Sequence, residues 1–292
     1  MWPRRRFWPV PSVSINPGIW LPRAADLSRS ERLLACAGTC AGAAPAYVES
    51  AAVPRGRWRC PHQLELDALT ADSSALPGAT LDVLSPRTES SWDLTRRALK
   101  IAASLEHDGE RAASLLAELE SVARQALLSL CAPLGAFELA SEVRFAHVEP
   151  NLETVTRDPS QGQRLLGLHA DSHERRAISE RAASQRLLSL NLSSSPRSLL
   201  FVNLQLSQIE ALVDRTRVTP AELHNATDLG RAFLRQNRDY PVFRLILLPG
   251  EAYLAPVQNM VHDGSTLDMA RRDLTLRAFG EFAVNQRSAA AS

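Results

Sequence analysis

Two histidines and one aspartate are the residues of this chain best suited to chemistry. His169-Ala-Asp171 closes an apolar run, and His262 follows the strand-like stretch Ala252 to Met260. Two imidazoles and a carboxylate make one face of a metal site and leave the remaining positions open. A non-haem ferrous ion needs that donor set to bind a co-substrate and dioxygen together. One residue separates His169 from Asp171, so in extended backbone both side chains point to the same face. His262 has to come from another strand or its exit, and Gly264 just past it allows a tight bend away from the site.

An organic co-substrate needs an anchor, and three arginines follow His262: Arg271, Arg272 and Arg277. Adjacent arginines at a strand entrance are usually solvated, which is the stronger reading for Arg271. Arg277 stands in the alternating run Asp273-Leu-Thr-Leu-Arg-Ala-Phe, where it shares a face with Thr275 and Phe279 while Leu274 and Leu276 point the other way. A guanidinium on such a face requires an anion. A carboxylate held bidentately is its best partner, and a dicarboxylic co-substrate supplies one.

Other candidates are weaker. His173 lies in the charged stretch Ser172-His-Glu-Arg-Arg176 and reads as a solvated loop histidine rather than a competing ligand. Asn191 and Asn203 occupy strands, where they line a binding site or, more simply, satisfy backbone groups. Tyr253 and Trp92 read as core aromatics. Cys36-x3-Cys40 with Cys60-Pro-His62 is a loose zinc pattern in an Ala/Gly-rich context, and free thiols are expected there. No Gly-x-Ser-x-Gly elbow, phosphate loop or dinucleotide fingerprint is present.

The elements that must position these residues follow from periodicity. Residues 1–90 are rich in Pro, Ala, Ser and Arg without a sustained period, and are expected to form an irregular N-terminal extension or a lid, with one short strand over Gln63 to Leu69. From Ser91 to Cys131, Leu94, Ala98, Ile101 and Leu105, then Leu115, Leu119, Val122, Leu127 and Leu130, recur at helical spacing. Two helices are predicted, broken near His107-Asp-Gly109. Short strands then succeed one another to Phe279, interrupted at 207–236 by helical spacing that Thr219 caps and Pro220 opens. The expectation is an α+β, mainly β fold: a double-stranded β-helix, or jelly roll, over about 135–282, backed by the helices at 91–131. Together they make a catalytic unit over 91–292.

Composition limits the partners. The 292 residues are 45% hydrophobic and carry 33 basic and 32 acidic side chains, a formal net charge of +1. Such a balance sets up no broad field for nucleic acid or an anionic membrane, so a small-molecule substrate is the default. The basic start, Met1-Trp-Pro-Arg-Arg-Arg, runs into Pro9, Pro11, Pro17 and Pro22 instead of the apolar stretch of an export signal. No apolar run approaches the roughly 20 residues of a membrane span, and the protein reads as soluble and cytoplasmic. Four sparse cysteines argue against a disulfide framework.

His-x-Asp, a distant histidine and an arginine ten to fifteen residues beyond it, spread over short strands, resemble the Fe(II)- and 2-oxoglutarate-dependent dioxygenases. The likeness covers roughly residues 135–282. The resemblance implies His169, Asp171 and His262 as metal ligands for Fe(II). It also implies 2-oxoglutarate as co-substrate with its far carboxylate on an arginine, and O2 as oxidant. In members similar to the taurine and clavaminate oxygenases the anchor lies about 14 or 15 residues past the distal histidine, which favours Arg277; other branches place it near the position of Arg272. The implied activity is hydroxylation of an unactivated C–H bond of a small molecule, such as an amino acid or a natural-product intermediate. A non-catalytic jelly-roll binding protein is the alternative from another class.

Overall fold

The structure is a computed structural model that describes residues 14–70, 78–105 and 112–282. Its described N-terminal part is not the irregular arm expected from composition. After α1 (Ala24–Arg29), β1 (Leu33–Cys36) pairs with the stretch 242–245, Leu33 opposite Leu245 and Cys36 opposite Val242. β2 (Thr39–Ala41) and β3 (Ala52–Pro54) pair with each other. The expected strand over Gln63 to Leu69 is a helix, α2 (Gln63–Thr70). Leu64 and Leu66 satisfy an alternating period, but Leu64 is 59% exposed, and Glu65, Ala68 and Leu69 reach the interior at helical spacing. The buried Glu65 carboxylate fixes the helix start by accepting from the His62 backbone N–H at 2.6 Å and from Arg59 Nη1 and Nη2 at 2.6 and 2.7 Å. β4 (Asp82–Leu84) then joins the edge of a second sheet.

The paired helices appear as predicted. They are α3 (Glu89–Leu105) and α4 (Ala112–Cys131), and the expected break falls at 106–111, outside the described residues. Trp92 is 49% exposed on α3 rather than part of the core. Next come β5 (Phe137–Leu139), β6 (Arg144–Val148), β7 (Arg157–Asp158), β8 (Arg164–Leu165), β9 (Arg186–Asn191) and β10 (Arg197–Gln205). The helical insertion is α5 (Leu206–Leu212), α6 (Pro220–His224) and α7 (Ala226–Gln236); Thr219 and Glu222 close a capping box at the start of α6. The chain ends in β11 (Val242–Leu247), β12 (Ala252–Ala255), β13 (Met260–Ser265) and β14 (Asp273–Phe282).

These strands make two main antiparallel sheets, ordered β1-β11-β10-β13 and β4-β12-β9-β14-β5, with β6 also on β14. One apolar core lies between them, built from Leu187, Leu199, Phe201, Phe243, Leu245, Tyr253 and Met260. The outer face of the larger sheet, through Leu188, Leu190, Leu254 and Leu276, packs on α3 and α4. The outer face of the smaller, through Leu200, Val202, Val242 and Val261, packs on α5 and α7. The molecule is therefore α+β, and its strand alternation decides what enters the space between the sheets. Leu274, Leu276 and Ala278 belong to the helix-side core, so Asp273, Thr275, Arg277 and Phe279 face the opposite sheet; Arg197 shares the inner parity of Leu199 and Phe201. None of the described helices is long and apolar enough to cross a membrane.

Candidate metal centre

His169 and His262 meet backbone to backbone. The stretch around His169 forms an isolated antiparallel bridge to β13, with His169 N donating to His262 O at 3.0 Å and His262 N to His169 O at 2.7 Å. Asp171 N, two residues on, donates to Val257 O at 3.1 Å, which keeps the segment extended and sends both side chains the same way. One donor atom each of His169, Asp171 and His262 then falls within 4.8 Å of the others, the only such set among the described residues. His262 does not exit a single strand that begins at Ala252. The stretch 252–265 crosses from β12 in one sheet to β13 in the other, and this crossing carries the histidine to the smaller sheet. Gly264 is not a bend either; it lies inside β13, where a Cβ would come 2.8 Å from Val155 Cγ2 and 2.9 Å from Arg197 Nη2.

Hydrogen bonding orients both rings. His169 Nδ1 is 2.9 Å from Gly167 O, and His262 Nδ1 is 3.4 Å from Met260 O. A proton on each Nδ1 satisfies those carbonyls and turns both Nε2 atoms toward the centre, as in histidines that bind metals. His169 Nε2 lies 3.5 Å from Asp171 Oδ1, and the rings are 5.0 Å apart between centroids.

Charge separates the two histidines. Burial lowers the His169 pKa, but the Asp171 and Asp263 carboxylates outweigh it and hold the imidazolium to about 9. At His262 burial dominates, and the pKa falls to about 4. Burial also opposes ionisation of Asp171, yet His169 and His173 keep its carboxyl well below the ordinary range. Asp263 Oδ1 accepts from Val155 N, Thr156 N and Thr156 Oγ1, and Oδ2 lies 3.8 Å from His169 Nδ1. His173, read as a solvated loop residue, is 60% exposed but places Nε2 3.3 Å from Asp171 Oδ2 and its ring edge-on to Phe279.

The arginines divide sharply. The Arg272 side chain is 71% exposed and pairs with Glu149 at 2.8 Å; it is not brought to the histidines. Arg277 faces inward, Nε donating to Thr275 Oγ1 at 3.1 Å, and its charge helps depress the pKa of His262. In register on the inner face it stands beside Ser189, which stands beside Tyr253. Tyr253 is a core aromatic, as its type suggests, whereas Ser189 and Arg197 are inner-face residues that sequence reasoning does not single out. Alternation within β9 and β10 was the available signal, since both residues share the parity that buries Leu187 and Leu199 between the sheets.

Asn191 and Asn203 serve the backbone. Asn191 Nδ2 donates to Ser195 O and Leu247 O, and Asn203 Nδ2 donates to Asn16 O while its Oδ1 accepts from Tyr240. All four cysteines are free thiols.

No family model matches the chain, and neither does any curated protein. Among solved structures, the Kdo hydroxylase KdoO, a non-heme Fe(II) alphaketoglutarate-dependent dioxygenase, is similar in its complex with alphaketoglutarate and Fe(III). That alignment covers 72% of this chain and 81% of the other at 12% identity and a TM-score of 0.36. The apo structure of the same enzyme aligns over the same shares at 11% identity and a TM-score of 0.37. Likeness at that level carries no argument about chemistry, which rests on the residues of the centre itself.

Proposed function

We propose that this protein is an Fe(II)- and 2-oxoglutarate-dependent dioxygenase whose metal ligands are His169, Asp171 and His262. The observation that carries the reading is the convergence of these three side chains, with both Nδ1 atoms engaged by backbone carbonyls. Two neutral imidazoles and one carboxylate suit a ferrous ion and leave part of its coordination sphere open. The strand alternation between two facing sheets supports a jelly roll as the scaffold.

Arg277, rather than Arg272, is the anchor for the far carboxylate of 2-oxoglutarate. It is half-buried and near enough to His262 to disfavour that ring's charge, and no described carboxylate lies within ion-pair distance of it, whereas Arg272 is already paired at the surface. When bound, iron and 2-oxoglutarate supply dioxygen activation coupled to decarboxylation to succinate. The chain's own share is positional. Gly167 and Met260 carbonyls fix the two rings, Asp171 contributes the negative charge, and the apolar inner faces of both sheets exclude water. The substrate is a small molecule offering an unactivated C–H bond, an amino acid or natural-product intermediate; the near-neutral charge favours neither nucleic acid nor membrane.

Anaerobic protein given Fe(II) and 2-oxoglutarate is expected to show the weak visible charge-transfer band of the chelate, and to release succinate once oxygen is admitted. Asp171→Ala should lose both. A folded wild-type protein with neither band nor succinate overturns the assignment, and metal-dependent turnover without oxygen would mark hydrolytic chemistry instead.

A further inference from the structure

Arg197 is the least explained side chain in the molecule. It is 1% exposed at the start of β10, on the inner face, and its Nε, Nη1 and Nη2 all lack hydrogen-bond partners. Its nearest acidic neighbour is Asp273, with Nη1 3.3 Å from Oδ2, a separation without hydrogen-bond alignment, since Oδ2 is itself unsatisfied. The other oxygen, Asp273 Oδ1, accepts from Ser193 Oγ at 2.8 Å. Gly264 makes room for this guanidinium, because a Cβ there would lie 2.9 Å from Nη2.

Arg197 from the smaller sheet is near enough for its charge to disfavour that of Arg277 on the larger, Asp273 and Asp171 oppose that effect at Arg277, and Asp273 is the one carboxylate among the described residues at ion-pair distance from either. Ser189 Oγ, beside Arg277 in register, is buried and also lacks a partner. A buried Arg197 and a half-buried Arg277 share one carboxylate at ion-pair distance, and the three nitrogens of Arg197 stay idle in a low-dielectric interior. Arg186, by contrast, gives Nη2 to Asp82 and two backbone carbonyls and leaves only Nε among its buried nitrogens unpartnered.

We propose that Arg197 is a second carboxylate-binding arginine, acting from the sheet opposite Arg277. The two guanidiniums and Ser189 Oγ grip one carboxylate of a dicarboxylate ligand between the sheets. The identity of the ligand's other end rests on the function proposed above; the carboxylate grip does not. Because the two arginines belong to different sheets, the bound carboxylate also ties the sheets together, and Asp273 holds Arg197 in place until it arrives.

The test is calorimetric titration of the metal-free protein with glutarate, which has the two carboxylates and no keto group. Wild type is expected to bind it, and Arg197→Gln to weaken binding about tenfold to a hundredfold, with Arg197→Lys between them. The double variant Arg197→Met/Asp273→Leu removes the whole buried pair with little expected harm to folding. It should lose glutarate affinity as Arg197→Gln does. Unchanged affinity in a folded double variant overturns the proposal and leaves Arg197 a structural partner of Asp273. Arg197-dependent glutarate binding without the iron chelate band would uphold the carboxylate grip while sinking the oxygenase reading; a normal band with the same 2-oxoglutarate requirement in Arg197→Gln would do the reverse.

Discussion

Two sets of inward-facing arginines in this molecule are treated in opposite ways. Arg186, at the start of β9, gives Nη2 to Thr80 O, Asp82 Oδ2 and Leu254 O at 2.6, 2.9 and 3.2 Å. Arg181 gives Nη1 to Asp171 O and Gln258 O at 2.6 and 2.9 Å and Nε to Arg176 O, and thereby braces the loop that carries Asp171. Three residues along β9 from Arg186 the picture inverts: beside Ser189, Arg277 has one hydroxyl partner, and across the space from it Arg197 has no aligned acceptor. Burial disfavours the charge of both Arg186 and Arg277, so desolvation alone does not separate them. Acceptors do. A guanidinium with several protein acceptors, as Arg186 has on Nη2 although its Nε has none, holds the fold together, whereas one with no aligned acceptor on any nitrogen is suited to an anion from outside.

The comparison predicts opposite phenotypes. Arg186→Ala should cost about 3–5 kcal/mol of stability by stranding Asp82 and two carbonyls, seen as a lower denaturant midpoint. The affinity of whatever protein remains folded should not change. Arg277→Ala should do the converse, weakening 2-oxoglutarate binding by about 1.5–3 kcal/mol with little loss of stability, as read by titration of the chelate band. If instead Arg277→Ala unfolds the protein and Arg186→Ala weakens the co-substrate, the distinction fails.

Acidity sharpens the contrast at the candidate metal ligands. In the metal-free protein His169 titrates at about 9, above its ordinary 6.5, so at neutral pH an incoming ion must displace its proton. Metal affinity should rise about tenfold per pH unit and level off near 9, measured by chelator competition. His262, at about 4, is already neutral there and adds no slope. The linkage on folding has the opposite sign. A raised pKa stabilises the metal-free protein fully below about 6.5, and that stabilisation is lost as pH climbs through 9. The smallest effect belongs to Arg272→Ala, which removes an exposed pair with Glu149 and should change stability by less than about 1 kcal/mol and the 2-oxoglutarate requirement not at all.

Much of this was legible before folding. Local spacing placed His169 and Asp171 on one face and put Arg277 opposite Leu274 and Leu276. The helical period marked α3 and α4, and Thr219-Pro220 marked the start of α6. Local spacing failed where the decisive neighbour is distant in sequence. The stretch 63–70 is a helix because Glu65 finds Arg59 and the His62 amide, and β1 and β4 are strands because β11 and β12 offer them edges.

What the sequence by itself determined, then, was residue chemistry and face: which side chains can bind a metal, and which side of a strand each occupies, since alternation is a property of the backbone. Only the tertiary structure decided which faces meet. It carried His262 onto the smaller sheet opposite His169, closed Arg272 into a surface pair, and set Arg197 across from Arg277 and Ser189. Whether a buried donor is satisfied depends on acceptors contributed from far along the chain, and strand periodicity carries no information about those.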